Sequence, residues 1–395
     1  MHLAYLFIAI AVLSIVAVPA TAACIYLLLL TCLSALPRMP PASRREIFFD
    51  VIVPAHDEAS GIGKTISSLK QLSWPDSRYR IVVIADNCSD ATAAISAEAG
   101  ATVLERQDPA RRGKGYALAH AFSWSRAAGL ANAVVVVDAD SVVSANLLES
   151  FAARLESGAH ALQAHYGVLN AADSWRTRLM AIALGAIHKV RSRAREFVGV
   201  SCGIRGNGWC VTHALLDDIP YRAFSLTEDV EFGIELGLAG YRVWYCDEAC
   251  VNGEMVTGEL ASRSQRQRWE GGRFALIREK VPALLRAAAA KRSLLCLDLA
   301  LDLLVLPLSY VFVNVVAIVA IGLLSPEGLR SPLLVAGLFD FCALNLYVCR
   351  GWMLSGIGIA GIWDLLRVPG FLFWKLIIVR FQPKPATWVR TKRER

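Results

Sequence analysis

The chain has 395 residues, of which 55% are hydrophobic and only 19% are charged. This length allows one large domain or two of average size, and a mean hydropathy of +0.44 excludes an ordinary soluble protein. The apolar residues are concentrated at the two ends, and the middle has the mixed composition of a globular domain. The chain is therefore expected to hold a globular region between membrane segments. Its net charge is +7.

The first apolar segment runs from Tyr5 to Leu36 and contains no charged residue. It is long enough to span a membrane, which needs roughly 20 apolar residues. A signal peptide is disfavoured because its apolar core is shorter, about 7–15 residues, and follows basic residues. Residues 1–37 are predicted to form an anchor helix kinked at Pro19, with two short hairpinned segments as the alternative.

A second apolar zone predicts a pair of transmembrane helices within residues 294–349. Its parts, Leu294–Leu324 and Leu333–Val348, are separated by the polar turn SPEGLRSP. Charged residues interrupt the next apolar stretch, residues 355–381, which favours an interfacial helix over a third span. Residues 382–395 are predicted to form a basic tail.

Basic residues flank the middle region on both sides, and the C-terminal tail is basic as well. The flanking residues are Arg38, Arg44, Arg45, Arg286, Lys291 and Arg292. Because cytoplasmic loops carry an excess of Lys and Arg, the middle region and the tail are predicted to be cytoplasmic, in an integral protein of a bacterial inner membrane. The positive charge suits an anionic leaflet, and no nucleic-acid partner is predicted.

Between residues 48 and 290, short apolar runs alternate with segments of helical periodicity. The runs are FFDVIVPA, RIVVIA, TVLER and AVVVV. Such alternation is typical of a sheet covered by helices on both faces. We therefore predict an α/β domain with a doubly wound, mostly parallel sheet.

Acidic residues follow three of these predicted strands. They are Asp57 and Glu58 after VIVPA, Asp86 after RIVVIA, and Asp138 and Asp140 after AVVVV. Ligands bind such sheets outside the carboxyl ends of the strands, so the acids predict a site for a metal ion and a hydroxyl-rich ligand. Three independent turn caps are the alternative. Asp138 and Asp140 are the predicted ligands of Mg²⁺ or Mn²⁺, which prefer oxygen.

Three further motifs carry chemistry. Glu228 and Asp229 follow Thr227 at a predicted helix start, where capping and a catalytic role are compatible. Gln265, Arg268 and Trp269 share one helix face, and a basic helix on the membrane surface is the alternative. Lys114 lies between two glycines at a helix start, which allows close approach to phosphate oxygens.

In this order, Asp86, the Asp138–Asp140 pair, Thr227-Glu228-Asp229 and the Gln265-x-x-Arg268-Trp269 helix resemble the membrane-bound family 2 glycosyltransferases of GT-A fold. That group includes the cellulose, chitin, hyaluronan and poly-N-acetylglucosamine synthases and the ceramide glucosyltransferases. The opening VIVPAHDE is also similar, with Asp57 where Asn is commoner. The resemblance covers about residues 48–290 and the flanking membrane topology.

The resemblance implies a role for each motif. Asp229 is implied to be the general base, with Glu228 beside it as a second carboxylate. The donor-binding residues implied are Ala55, Asp57, Glu58, Asp86, Lys114, Asp138, Asp140 and Arg268. The acceptor side is implied to hold Gln265, Trp269 and the glycine-rich loop residues Gly206, Asn207 and Gly208.

The expected function is metal-dependent, inverting sugar transfer from a nucleotide sugar, with UDP favoured, to a lipid-linked or glycan acceptor. This chemistry serves glycolipid or cell-surface and exopolysaccharide synthesis. A processive synthase is the alternative, although few spans favour single addition unless an oligomer or a partner membrane subunit supplies more helices. A sugar nucleotidyltransferase and a non-catalytic membrane module or transporter are alternatives of other classes.

Two charged features lie outside these motifs. The basic segment Ile187–Arg195 is predicted to lie at the membrane surface, either facing a lipid phosphate or as a plain surface helix. Asp298 and Asp302 are predicted either to line a polar path or to be solvated at a helix end. Asp340 lies deep in a predicted span, and the sequence offers no account of it.

Overall fold

The computed structural model describes residues 13–255 and 259–368, with the side chains of 13–14 and 259–268 left aside. The strands are β1 Phe49–Ala55, β2 Tyr79–Asp86, β3 Thr102–Arg106, β4 Ala133–Val136, β5 Ser141–Val143, β6 Ala161–Val168, β7 Trp209–Thr212 and β8 Val243–Gly253. The helices are α1 Val18–Cys32, α2 Ile62–Leu69, α3 Thr92–Glu98, α4 Lys114–Ala128, α5 Leu147–Glu156, α6 Trp175–Leu184, α7 Arg191–Val198, α8 His213–Asp218, α9 Glu228–Ala239, α10 Glu259–Lys291, α11 Leu294–Leu304, α12 Leu308–Leu324, α13 Glu327–Ser355 and α14 Ala360–Leu365. Two π-helical segments, Leu13–Ala17 and Gly185–Val190, precede α1 and α7.

The strands form one eight-stranded sheet in the order β3-β2-β1-β4-β7-β6-β8-β5. The first four strands are parallel, and they are the four runs identified in the sequence. Strand β7 pairs antiparallel with β4 and β6, and β6 pairs parallel with β8. The predicted α/β fold with a parallel-rich sheet is confirmed.

Both faces of the sheet are buried, because alternate residues of each strand enter different apolar layers. Val51 and Val53 pack in the layer that contains α2 and α5, and Ile52 packs in the layer that contains α4 and α9. The parallel strands are therefore apolar on both sides. The residues at the carboxyl ends of these strands line the cavity described below.

Two helices in the described part of the chain are long and apolar enough to span a membrane: Ile15–Cys32 and Glu327–Ser355. The π-helical segment Leu13–Ala17 ends just before Pro19, which lacks the backbone N–H of a regular helix. Helix α13 starts at Glu327, so most of the predicted turn SPEGLRSP is helical and the second span is longer than Leu333–Val348. Residues 1–12 and 369–395, including the basic tail and most of the predicted interfacial helix, lie outside the described residues.

The predicted span over Leu294–Leu324, which contains Pro307, is not one continuous helix. Helix α11 ends at Leu304, α12 begins at Leu308, and the two are bent by 72°. Val305 and Pro307 have extended backbone between them. Proline removes a helical hydrogen bond and disfavours helix in the residue before it. The pair forms a broken span or a re-entrant loop.

The basic segment Ile187–Arg195 does not lie at the surface as predicted. Arg191 is 4% exposed and Arg195 is fully buried. Arg195 pairs with Asp298 at 2.9 Å and with Asp302 at 2.7 Å, so those aspartates are neither a polar path nor solvated helix ends. A buried charge needs such a partner, because isolated burial is very unfavourable.

Asp340, whose role could not be inferred from the sequence, joins the two helices that are long and apolar enough to span a membrane. Its carboxylate is fully buried and accepts a hydrogen bond of 2.8 Å from the Thr21 hydroxyl of α1. Around them, α1, α12 and α13 pack together with the π-helical segment Gly185–Val190 in one apolar cluster. The membrane helices and the sheet domain therefore share a packed interface.

Candidate active site

A cavity of about 680 Å³ lies at the carboxyl ends of β1, β2 and β4. Its lining includes the acidic strand ends and the start of α4, together with an apolar wall of residues from α6 and from the break between α11 and α12. The predicted site residues that line it are Ala55, Glu58, Asp86, Lys114, Asp138, Asp140, Gly206, Glu228, Asp229 and Trp269. The strand ends that the sequence placed on one edge thus meet in a single cavity.

Asp57 is oriented away from this cavity. Its backbone has a φ of 53°, and its carboxylate accepts a 2.6 Å hydrogen bond from the Ser89 backbone N–H. That bond lowers the pKa of Asp57, although burial opposes it. Among the described residues, Asp57, Cys88 and Asp90 form a cluster with metal-ligand spacing. However, the two carboxylates already accept bonds from nearby backbone N–H groups, so we assign no site there.

Asp86, at the end of β2, lines the cavity beside a basic partner. Its carboxylate accepts a hydrogen bond of 2.5 Å from Arg106, and both side chains are mostly buried. Arg106 also pairs with Asp108 at 3.1 Å. The acid is therefore held in place by the neighbouring strand β3.

Lys114 is the centre of the polar wall. Its ammonium group donates to Asp138 and to the Gly206 carbonyl, both at 2.6 Å, and lies 3.9 Å from Glu228. Burial alone lowers the pKa of Lys114, but Asp138 and Glu228 raise it above its ordinary value. Gly115 lets this helix start pack closely, since a Cβ there would lie 2.3 Å from the Ala223 carbonyl oxygen. One cation thus links the strand end, the glycine-rich loop and α9.

Asp138 and Asp140 fit a hard divalent cation by the chemistry of their oxygen atoms. Both line the cavity. Glu254 adds a third carboxylate to this wall, and its backbone N–H donates to the Asp140 carbonyl at 3.3 Å. Glu254 was not identified from the sequence, because it belongs to no recognisable motif. The three acids can hold a metal together with the phosphates of a ligand.

Glu228 and Asp229 occupy the first turn of α9, as predicted. Thr227 precedes the helix but makes no side-chain cap, so capping does not explain this motif. Burial raises the pKa of Asp229, while Lys114 opposes the shift. A Cβ at Gly206 would lie 3.3 Å from the Asp229 carboxylate, so the glycine leaves room beside the acid.

The glycine-rich loop contributes backbone groups to the cavity, whereas its asparagine side chain does not line it. Asn207 is fully buried, accepts from the Asp138 N–H at 3.0 Å and donates to the Ser141 hydroxyl at 2.7 Å. It therefore holds the Asp138 strand end in place. Gly206 lines the cavity, whereas Asn207 and Gly208 lie behind it.

The α10 motif is described only in part. The side chains of Gln265 and Arg268 lie outside the described residues, and Trp269 lines the cavity at 36% exposure. Gly272, on the same helix, packs against Thr227, since a Cβ there would lie 2.5 Å from the threonine methyl group. Helix α10 thus lies against the start of α9, near the two acids.

Four basic side chains of the cavity were not named as individual site residues from the sequence: His188, Arg191, Arg205 and Arg273. Arg205 belongs to the glycine-rich loop and Arg191 to the segment predicted at the surface. These residues are visible in the sequence, but arginine is seldom buried. No local pattern indicates that they lie together around Asp302.

The sheet topology and its acidic cavity define a GT-A fold. The family model described as "Glycosyltransferase like family 2" matches residues 46–272, more than half of the chain. The chain therefore belongs to family 2 of the glycosyltransferases and is an enzyme of that class.

Curated relatives agree with this family. The chain is 29% identical over 230 residues to beta-monoglucosyldiacylglycerol synthase of Synechocystis sp., covering 56% of this chain and 47% of that protein. It is 26% identical over 232 residues to the probable glycosyltransferase YdaM of Bacillus subtilis, covering 56% and 54%. The chain thus spans about half the length of these relatives.

The fold is also similar to that of a solved structure, the mannosyltransferase PcManGT from Pyrobaculum calidifontis in complex with GDP-Man and Mn²⁺. The TM-score is 0.58 at 15% identity, and the match covers 90% of this chain and 98% of that one. At this identity the likeness shows the fold alone. The aligned part of this chain is longer than the region that matches the family model.

Proposed function

We propose that the chain is a metal-dependent, inverting glycosyltransferase that moves a sugar from a nucleotide sugar, with UDP favoured, to a lipid acceptor. The observation that carries this proposal is that Asp138, Asp140 and Asp229 line one cavity and that Lys114 joins the first of them to the α9 acids. A cationic side for a leaving diphosphate and a carboxylate for an attacking hydroxyl are thus present together.

Each side of the cavity has its own task in this reaction. Asp138, Asp140 and Glu254 would hold Mg²⁺ or Mn²⁺, which neutralises charge on a diphosphate when bound. Lys114 adds a fixed positive charge where negative charge develops on the leaving group. Asp229 accepts the proton of the acceptor hydroxyl. A single displacement inverts the anomeric centre, so an α-linked donor gives a β-linked product.

The apolar wall supports a lipid acceptor. Met180, Leu184 and Ile187 line the cavity on one side, and Val305 and Leu308 line it at the break between α11 and α12. A relative named for the synthesis of monoglucosyldiacylglycerol matches this chain, which also supports a lipid. A processive synthase needs a wider membrane path than the described spans offer, unless an oligomer or a partner subunit supplies it.

The proposed function is tested by incubating the purified full-length chain with a panel of nucleotide sugars and Mn²⁺ or Mg²⁺. We expect one UDP-sugar to be consumed with release of UDP and formation of a glycolipid in the presence of membrane lipid extract. Release of pyrophosphate instead would identify a nucleotidyltransferase. If no nucleotide sugar is consumed with either metal in the presence of lipid extract, the proposal is wrong.

We further propose that the catalytic cavity faces the cytoplasm of a bacterial cell and that the α12–α13 turn lies on the other side. The Lys and Arg distribution of the sequence supports this orientation. A single cysteine placed at Pro326, in a variant whose native cysteines are replaced, should react in intact cells with a thiol reagent that cannot cross the inner membrane. Reaction only after the membrane is permeabilised would reverse the topology.

A further inference from the structure

A cluster of four mostly buried arginines lies at the cavity, and three of them, Arg191, Arg205 and Arg273, line it. Asp302 accepts from Arg191 at 2.9 Å and from Arg205 at 3.2 Å, and it pairs with Arg195 at 2.7 Å. Arg273 donates to the carbonyl groups of Asp302, Leu303 and Val305 at the end of α11. We call Arg191, Arg195, Arg205 and Arg273 the arginine wall.

Ion pairs in the described part of the chain join three arginines of the wall to two acids. Arg191, Arg195 and Arg205 pair with Asp302, and Arg195 also pairs with Asp298. Burial and the neighbouring arginines lower the pKa of Arg273 to about 10, against the effect of Asp302. An uncompensated buried charge is unfavourable. The wall is therefore set up to receive an anion.

Several donors of the wall have no acceptor in the described part of the chain. Arg191 uses Nε and Nη1, and Arg205 uses Nε and Nη2. The second terminal nitrogen of each makes no such bond to the described residues. The Nε of Arg273 is also buried without a partner there. Arg191, Arg205 and Arg273 all line the cavity, so unused donors are present in its wall.

His188 adds a neutral polar group beside the arginines. It lies in the π-helical segment Gly185–Val190, is 8% exposed and lines the cavity, and its Nδ1 has no partner among the described residues. Burial and Arg205 lower its pKa well below the ordinary value. π-Helical turns are frequent at functional sites. His188 is thus an uncharged hydrogen-bonding group next to a cationic wall.

Arg205 connects the arginine wall to the glycine-rich loop. It immediately precedes Gly206, whose carbonyl binds Lys114 and where a Cβ would lie 3.3 Å from the Asp229 carboxylate. The Arg205 guanidinium turns to Asp302 of α11, and Val305 and Leu308, which follow α11, line the same cavity. A ligand with a charged group and an apolar part can therefore contact the arginine wall and the helix break together.

We propose that the arginine wall binds an anionic group on the acceptor, so that this enzyme glycosylates an anionic lipid rather than a neutral one. The inference rests on the proposed function for the existence of a lipid acceptor, and it defines the class of that lipid. A phosphate or carboxylate suits the planar guanidinium groups. The hydroxyl that attacks the donor belongs to the same headgroup and lies toward Asp229.

The test compares binding of three probes to the full-length chain in phosphatidylcholine nanodiscs: dihexanoyl phosphatidic acid, dihexanoylglycerol and inorganic phosphate. Shifts of the thermal unfolding midpoint give apparent Kd values. We expect the anionic lipid to bind on the order of tenfold or more tighter than either other probe, because hydrogen bonds to charged groups are strong. Equal binding of the two lipids would overturn the proposal. Equal binding of inorganic phosphate would assign the wall to free phosphate and overturn the lipid class.

Variants then assign the preference to the arginine wall. Arg273→Gln should remove most of the preference for the anionic lipid, and Arg273→Lys, which keeps the charge, should retain most of it. The control Arg126→Gln changes an exposed arginine that pairs with Asp217 far from the cavity and should have no effect. A preference unchanged in Arg273→Gln contradicts the proposal. If Arg273→Gln does not fold, the lipid comparison in the wild-type chain and in Arg273→Lys still decides.

Binding of UDP with Mn²⁺ distinguishes the wall from the donor site. We expect Arg273→Gln to bind UDP like the wild-type chain, because the arginine lies on the acceptor side. Loss of UDP binding with an unchanged lipid preference would assign the wall to the donor and overturn the inference. Consumption of nucleotide sugar by the wild-type chain is measured separately, so a failure of the proposed function is recognised independently.

Discussion

The Asp229→Asn variant is expected to transfer sugar about 10²–10⁴-fold more slowly than the wild-type chain, the usual loss when a general base is removed. Asparagine keeps the size of the side chain and most of its hydrogen bonding but cannot accept a proton. Binding of the nucleoside diphosphate should be nearly unchanged, since other groups hold the phosphates. Initial rates of glycolipid formation and equilibrium UDP binding measure the two effects.

The outcome that excludes Asp229 as the base is clear. Asparagine caps a helix about as well as aspartate. If the role of Asp229 were purely structural, the Asn variant would therefore keep more than about a tenth of wild-type transfer, instead of showing the loss expected for a general base. Glu228→Gln is the matched comparison, because Glu228 lies in the same helical turn. Should only Glu228→Gln lose transfer, that residue is the base.

The pH dependence of the wild-type enzyme gives a second measure of this pair. Burial, together with the charge of Asp229, raises the pKa of Glu228 to about 8, while Lys114 opposes the shift. A base must be ionised to act, and the raised pKa keeps a proton on the pair at lower pH. We expect kcat/KM to rise with pH at values above the ordinary carboxylate range, and this limb to move to lower pH in Glu228→Gln. If kcat/KM of the wild-type enzyme instead falls with acid only near the ordinary carboxylate pKa, the expectation is wrong.

The Asp140→Ala variant is expected to lose transfer by at least about 10²-fold, comparable with the loss of one group that stabilises transition-state charge. Binding of UDP should weaken sharply in the presence of Mn²⁺, because the variant lacks one of the three carboxylates proposed to hold the metal. In the wild-type chain, EDTA should have the same effect, and added Mn²⁺ should reverse it. Calorimetric titration of UDP with and without Mn²⁺ measures the coupling.

Asp217→Ala is the control for Asp140→Ala, since Asp217 is an exposed carboxylate of α8 that pairs with Arg126. It should keep wild-type transfer and wild-type dependence on metal. Both variants should unfold at nearly the wild-type temperature. Full activity of Asp140→Ala, or of the wild-type chain in EDTA, would remove the metal from the mechanism.

The first half of the sheet was predictable from sequence because its determinants are local. Four apolar runs alternate with helical segments, and the acids at their ends are visible in the sequence. The second half depends on distant pairing, such as that of β7 between β4 and β6. Such pairing has no short-range pattern, so the order of these strands could not be predicted from sequence.

The site was predictable only where a motif carried it. Lys114, Asp138, Asp140 and the α9 acids were identified from spacing and line one cavity. The arginine wall was not predicted, because its members come from three separate segments and meet around Asp302 of α11. Asn207 was expected at the acceptor but is buried behind the cavity, since a motif gives the position of a residue in the chain and not the direction of its side chain.

The bent pair of helices α11 and α12 means that catalysis and membrane attachment are not separable in this protein. Asp298 and Asp302 of α11 are the counter-ions of Arg195 in the sheet domain, and Val305 at the bend closes the cavity. A truncated chain that ended before Leu294 would lack both carboxylates and would expose the surface of α9 and α10 that α11 covers. Helix α11 is therefore a folding partner of the catalytic domain.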